Sequence, residues 1–176
     1  MPVEVKYTIV AAALHWLVML LVCALFGLGW FMTDLPPGHD RGYYFAIHKS
    51  VGITLFLVMI LRGVWRLYNP PPALPSYITN WRLLLAKYVH VSFYILLFLQ
   101  PLAGYLSSSF SGYDTAWFGY SLPIWGWKHI QLNDFFSALH RVLSIVILVF
   151  VALHLLGVLY HIRSEGLAFL NRIRPW

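Results

Sequence analysis

Four long apolar runs constrain what this chain can fold into more than any other feature of its sequence. They cover roughly residues 8–31, 44–66, 84–107 and 137–161, with breaker segments such as Pro36-Pro37-Gly38 and Asn69-Pro70-Pro71-Pro72 between them. A helix needs about 20 mostly apolar residues to cross a bilayer, and each run is long enough. The runs therefore predict an all-α protein, an integral membrane four-helix bundle that forms one domain over residues 1–176.

The composition agrees with this prediction. The chain is 60% hydrophobic and only 10% charged, whereas soluble domains are about half apolar and a quarter charged. The net charge of +6 would suggest nucleic acid binding in a soluble protein. Here the basic residues lie at the ends of apolar runs, where they set membrane topology. We therefore expect the chain to lie in a lipid bilayer and not to bind nucleic acid.

The distribution of lysine and arginine predicts the orientation, because cytoplasmic loops carry the excess. Eight of the twelve lie on the side of the two termini, so both termini are expected in the cytoplasm. The loops 31–44 and 108–136 then face outward, and the second is rich in aromatic residues. These rings fit either a belt at headgroup depth or a lid over a cofactor edge or substrate entrance.

Five of the eight histidines fall within the predicted spans: His15, His48, His90, His140 and His154. Ionisable residues are costly inside a membrane and by default mark function there. The structural alternative is a neutral histidine that shares hydrogen bonds with a neighbouring helix. Of the others, His39 and His129 fall in predicted loops, and His161 lies at the inner end of the fourth run.

The spacing of these histidines suggests two stacked cofactors. His140 and His154 are 14 residues apart on the fourth run, which is about 21 Å along the helix axis and only about 40° around it. His48 matches His140 in depth near the outer surface, and His15 matches His154 near the inner surface. A haem with two axial histidines at each level follows as a hypothesis. His90 also lies at the inner level, and spacing alone does not decide between it and His15.

Other metal sites fit the sequence less well. Cys23 is the only cysteine, which argues against zinc–cysteine sites, iron–sulfur clusters and covalent c-type haem. A structural zinc needs four ligands at one depth, and copper or di-iron sites should recruit carboxylate or sulfur ligands. No aspartate or glutamate lies inside a span, which also weakens a proton-coupled transporter.

Taken together, these features resemble the bacterial cytochrome b561 family over nearly the whole chain. The resemblance rests on His15-Trp16, His48-Lys49-Ser50-Val51-Gly52, Leu61-Arg62-Gly63-Val64-Trp65-Arg66, His90 with Tyr94, Pro101-Leu102-Ala103-Gly104-Tyr105, His140, His154 and His161. It implies a cytochrome of the bacterial inner membrane that holds two haems b and exchanges electrons with ubiquinone. The chain is also similar to the cytochrome subunits of hydrogenases and formate dehydrogenases, whose ligands favour His15 over His90. Some family members are described as superoxide:ubiquinone oxidoreductases, so the resemblance implies that activity.

Several cationic residues lie near the proposed ligands. Lys49 and Arg141 each follow an outer histidine and are candidate partners for haem propionates, although positive flanking of a helix end would explain them equally. At the inner end, Arg62, Arg66 and His161 form a candidate quinone region, with a cytoplasmic topology anchor as the alternative.

Five glycines lie within the spans: Gly27, Gly29, Gly52, Gly104 and Gly157. Small residues let helices approach closely, and they also leave room for a flat macrocycle. We expect helix packing to be their main role.

The expected mechanism is electron transfer from a one-electron donor at the outer level to quinone in the bilayer. Two axial histidines leave no open iron position, so outer-sphere transfer is expected. Three alternatives remain: a cytochrome subunit of a larger dehydrogenase or hydrogenase-type complex, a non-redox transporter, and an assembly or structural protein. A homo-oligomer or a redox-protein partner is also compatible with the expected function.

Overall fold

A computed structural model describes residues 6–72 and 80–174; residues 1–5, 73–79 and 175–176 of the predicted domain lie outside the described residues. The described residues contain four helices that are long and apolar enough to cross a membrane. The elements are α1 (Ile9–Asp34), α2 (His39–Tyr68), α3 (Asn80–Ser111), β1 (Ala116–Trp117), β2 (Tyr120–Ser121), α4 (Ile130–Glu165) and a 3-10 helix (Leu167–Ile173). The prediction of an all-α integral membrane bundle is confirmed.

Capping interactions explain where the helices begin and end. The hydroxyl of Thr8 accepts a hydrogen bond from the backbone N–H of Ala11 at 3.2 Å, which starts α1. His129 caps α4 in the same way, and Gly166, at φ 78°, ends it. The placement of His39 in a loop was wrong, because it is the first residue of α2. The predicted loop 108–136 is likewise shortened from both sides by α3 and α4.

The two ends of the chain meet at one end of the bundle. The backbone N–H of Tyr7 donates to the carbonyl of Arg172 at 3.0 Å. The indole N–H of Trp16 donates to the carbonyl of Ile173, also at 3.0 Å. The N-terminal segment and the 3-10 helix therefore lie on the same side of the four helices.

The close helix contacts within the described residues follow the order of the helices in the chain. α1 packs on α2, α2 on α3 and α3 on α4, whereas α4 does not pack closely on α1 or α2 within the described residues. A small apolar core joins all four helices: Val18, Leu55, Met59, Leu97 and Ile147. Most other apolar side chains are exposed in the isolated chain, as are Ile145 (62%) and Leu156 (61%). Lipid covers such side chains in a bilayer, and the chain is a multi-pass membrane protein.

The connection between α3 and α4 contains a small antiparallel hairpin of β1 and β2, in which Ala116 pairs with Ser121 and Trp117 with Tyr120. Its turn residues, Phe118 and Gly119, both have positive φ angles, of 46° and 93°. Two-residue hairpin turns of this kind need a positive φ at both central positions. Asparagine followed by glycine is the usual choice there, and phenylalanine is not.

The hairpin is attached to α2 by buried and half-buried hydroxyls. Ser50, which is 4% exposed, accepts from the backbone N–H of Phe118 at 3.0 Å, and Thr54 accepts from the indole of Trp117 at 3.1 Å. Ser50 lies two residues, or about 200° of helical rotation, from His48. The hairpin therefore docks on the face of α2 away from His48. The other loop aromatics, such as Tyr113 and Trp125, are exposed, as an interfacial belt requires.

Candidate functional site

At the level that the sequence predicts to be the outer one, His48 of α2 lies opposite His140 of α4; we call this the outer level and the other the inner level. Their ring centroids are 6.2 Å apart and their planes are inclined by 78°. Nδ1 of His48 is buried and has no hydrogen-bond partner among the described residues. The two imidazoles that the sequence matched in depth thus lie opposite each other, and their role as ligands of one haem stays a prediction.

His140 is held by two hydrogen bonds to one residue of α3. Its Nδ1 lies 2.9 Å from the main-chain oxygen of Gln100, and its Nε2 lies 3.2 Å from the side-chain nitrogen of the same residue. Gly104 lies directly beside the ring, because a Cβ there would be 3.0 Å from both Cε1 and Nδ1 of His140.

At the inner level, His15 and His90 both lie next to His154. His15 of α1 has its ring centroid 6.2 Å from that of His154, and His90 of α3 has its centroid 5.5 Å away. The guanidinium of Arg62 lies 3.3 Å from Nδ1 of His15 and donates to the hydroxyl of Tyr94 at 3.1 Å. Because a guanidinium only donates, this contact puts the proton of a neutral His15 on Nε2.

An apolar layer separates the two levels. Ile147 of α4 is 1% exposed, and Leu55 of α2 is 2% exposed. Ile147 is seven residues from His140 and seven from His154 in sequence, so it lies halfway between the two histidines along the helix. Buried apolar side chains thus lie between the two histidine pairs.

The geometry of the donors suits a haem at each level. Two imidazoles that bind one metal from opposite sides, each with its nitrogen about 2 Å away, have ring centroids roughly 6 Å apart. Both 6.2 Å pairs match this separation. In the described residues, no three or more histidine, cysteine, aspartate or glutamate side chains are arranged so that they could hold a metal ion by themselves. A haem needs only two axial ligands from the protein, and α4 packs less closely on α1 and α2, which carry His15 and His48, than on α3.

The basic candidates near the two levels differ in their surroundings. On the outer side, Lys49 is half-buried and Arg141 is exposed. On the inner side, the guanidinium groups of Arg62 and Arg66 lie 5.6 and 5.4 Å from the centroid of the Tyr94 ring. Neither of these two arginines forms an ion pair with a carboxylate in the described part of the chain.

His161 has partners of its own at the end of α4. Its Nδ1 lies 2.6 Å from a carboxylate oxygen of Glu165, and its ring stacks on Phe169 at 4.5 Å. The predicted quinone region thus consists of two groups with different partners, one around Tyr94 and one around Glu165.

Sequence reasoning missed the role of Gln100. An amide side chain inside an apolar run, one residue before Pro101, was the available signal. The sequence did not show which residue Gln100 would contact, because only the packing of α3 on α4 brings His140 to it. Tyr94 was noted as part of a family motif, but its contacts with two arginines were not foreseen.

Comparisons with known proteins cover almost the whole chain. The profile of the prokaryotic cytochrome b561 family matches residues 6–172. The chain is 36% identical over 153 residues to Cytochrome b561 homolog 2 of Escherichia coli (strain K12), covering 85% of this chain and 80% of that protein. It is 28% identical over 159 residues to the Probable superoxide oxidase CybB of Yersinia pestis, covering 89% of this chain and 88% of that protein.

Proposed function

The chain belongs to the prokaryotic cytochrome b561 family of haem-binding membrane electron-transfer proteins, and on this premise we propose that it is a diheme cytochrome that reduces ubiquinone. The observation that carries the proposal is the presence of two imidazole pairs, each with 6.2 Å between ring centroids. His48 and His140 would hold the outer haem b, and His15 and His154 the inner one. When bound, the two haems supply one-electron oxidation and reduction. Family membership favours this function over a non-redox transporter.

The electron donor we propose is superoxide, because one relative is named a probable superoxide oxidase. Two superoxide anions each lose one electron and leave as dioxygen. The two electrons, together with two protons, convert one ubiquinone to ubiquinol. Lys49 and Arg141, next to the outer histidines in sequence, would attract the anion locally or bind haem propionates.

The inner end carries the groups that a quinone and its protons require. Arg62 and Arg66 are cationic hydrogen-bond donors without a carboxylate partner in the described residues. Binding of iron by Nε2 of His15 requires Arg62 to release Nδ1, and its guanidinium is then free to bind a propionate or a quinone oxygen. The hydrogen-bonded pair of His161 and Glu165 can pass protons at the membrane surface.

We further propose the bacterial inner membrane as the location, with both termini in the cytoplasm. The side of the bundle with the N- and C-terminal segments and the α2–α3 connection carries eight of the twelve lysine and arginine residues, as a cytoplasmic side does. The outer histidine pair then lies toward the periplasm, where superoxide would reach it.

The first test is a haem count on the protein purified in mild detergent. We expect two b haems per chain by pyridine haemochrome, and no carbon monoxide adduct after dithionite reduction, because both axial positions are filled. Alanine variants of His15, His48, His140 and His154 should each lose one haem. His90→Ala is the matched control and should keep both.

The second test is activity. Superoxide generated enzymatically should reduce a short-chain ubiquinone in the presence of the protein, and added superoxide dismutase should abolish the reaction. A folded protein without haem would refute the redox function. Loss of one haem from His90→Ala but not from His15→Ala would change the inner ligand and leave the function intact. Quinone reduction that survives the dismutase would exclude superoxide as the donor.

A further inference from the structure

From the contacts of His140, and resting on the proposed function, we infer that Gly104 and the main-chain carbonyl of Gln100 are positioning elements for this ligand. The carbonyl fixes the ring so that Nε2 is the nitrogen available to iron. Gly104 leaves the carbonyl accessible to the ring.

The hydrogen bonds of His140 permit only one neutral form of the imidazole. A main-chain carbonyl can only accept, so Nδ1 at 2.9 Å from the Gln100 oxygen must carry the proton. The side-chain nitrogen of Gln100 can only donate, so Nε2 at 3.2 Å must be the acceptor. Both contacts thus agree on the Nδ1–H tautomer. A metal-binding histidine is oriented in this way when its second nitrogen donates to a carbonyl.

A carbonyl inside a helix is normally covered by the side chain one turn later. Helical Cβ atoms lean toward the N-terminus, so the residue at position 104 lies over the carbonyl of residue 100. Position 104 is a glycine, and the ring of His140 occupies the space of the missing side chain. An added Cβ would be 3.0 Å from two ring atoms, which would force the ring away by a few tenths of an ångström. The carbonyl keeps its own helical partner, since it has two lone pairs.

The other membrane-span glycines are in looser contact with a ligand or in none, although Gly29 lies beside His48, one turn after Leu25, whose main chain also faces that ring. A Cβ at Gly29 would meet Cε1 of His48 at 3.6 Å, an ordinary van der Waals distance. A Cβ at Gly27 or Gly157 would meet nothing within 4 Å. Gly104 is therefore placed to set the geometry of one haem, and Gly27 offers a matched control in another helix.

The experiment compares Gly104→Ala, Gly27→Ala and Gln100→Leu with the wild type, all purified with haem bound. The readouts are haem per chain, the low-spin electron paramagnetic resonance signal of each haem, and the rate of haem transfer to apomyoglobin. We expect Gly104→Ala to change the signal of one haem and to speed its transfer by about 10-fold, as loss of a ligand-orienting partner does. The other haem should be unchanged, and Gly27→Ala should match the wild type.

Gln100→Leu separates the main-chain carbonyl from the side chain. It keeps the carbonyl, so we expect two haems and an unchanged transfer rate. The inference is overturned if Gly104→Ala leaves both signals and both rates unaltered in a protein that holds two haems, and the proposed function then still stands. It is also overturned if Gly27→Ala acts like Gly104→Ala, or if Gln100→Leu releases the outer haem. A wild type without haem would overturn both proposals.

Discussion

Replacement of Ser50 with alanine should loosen the hairpin on α2 by an amount that follows from one partly buried hydrogen bond. Ser50 is 4% exposed, and its hydroxyl accepts from the backbone N–H of Phe118 at 3.0 Å. Its single proton is directed to the carbonyl of Ala46 or Ala116, at 2.9 and 3.3 Å. Alanine removes the acceptor and leaves the N–H of Phe118 without a partner.

An unsatisfied buried donor costs about 1–3 kcal/mol. Since each 1.4 kcal/mol corresponds to a factor of ten, the open form of the hairpin should become roughly 5- to 140-fold more populated. Hydrogen–deuterium exchange measures this population directly, because the amide of Phe118 exchanges only when the hairpin lifts off. The measurement follows the Phe118 amide in nanodiscs, at a pH where exchange is limited by the opening equilibrium.

Ser144→Ala is the matched control. Its hydroxyl bonds only to the carbonyl of Arg141 within the same helix turn, at 2.7 Å, so exchange at Phe118 should stay within a factor of two of the wild-type rate. If Ser50→Ala also stays within that factor, the hydroxyl of Ser50 does not hold the hairpin and the reasoning is refuted.

Two further predictions concern the inner level and the apolar layer. Arg62→Gln removes a positive charge beside His15. Loss of this charge favours the oxidised form of a nearby haem, so the midpoint potential of that haem should fall by tens of millivolts. Arg163 is exposed, and Arg163→Gln should leave the potential unchanged in a spectroelectrochemical titration. Ile147→Ala opens a cavity at a site 1% exposed and should cost about 2–5 kcal/mol of unfolding free energy. Ile145→Ala, at a side chain 62% exposed, should cost much less, and equal losses in SDS titrations of the two variants would contradict the burial argument.

The sequence was sufficient for the helices because the bilayer leaves few alternatives. Each apolar run had to become a helix of about 20 residues or more, and the predicted spans fall within one residue of the observed helices or inside them. The depth of a residue in the membrane also follows from its position in the sequence, because a helix rises about 1.5 Å per residue. That is why His48 could be matched with His140, and His15 with His154, before any side-chain position was known.

Helix rotation and helix neighbours could not be read from the sequence in the same way. Gly104 was expected to serve helix packing, and it does lie where α3 meets α4. Its contact with the ring of His140 was not foreseen, because that contact depends on how the two helices are turned toward each other. The hairpin was not expected either. Its turn places Phe118 at a φ of 46°, a conformation that bulky residues adopt only when surrounding contacts impose it. Ser50 and Thr54 provide those contacts from α2, 60 residues and more away in sequence.

The choice between His15 and His90 needs information about helix packing as well as the depth of each histidine along its helix. Both histidines lie at the level of His154, so depth alone leaves them equal. The ring separation supports the proposed choice of His15, since its 6.2 Å from His154 equals the separation of the outer pair and the 5.5 Å of His90 is shorter. Packing separates them further. α3, which carries His90, forms the most extensive helix interface of the bundle with α4, whereas α1 does not pack closely on α4 in the described part of the chain. A haem held by His90 and His154 would lie in this α3–α4 interface, whereas His15 and His154 come from helices that pack less closely, which supports the proposed choice of His15.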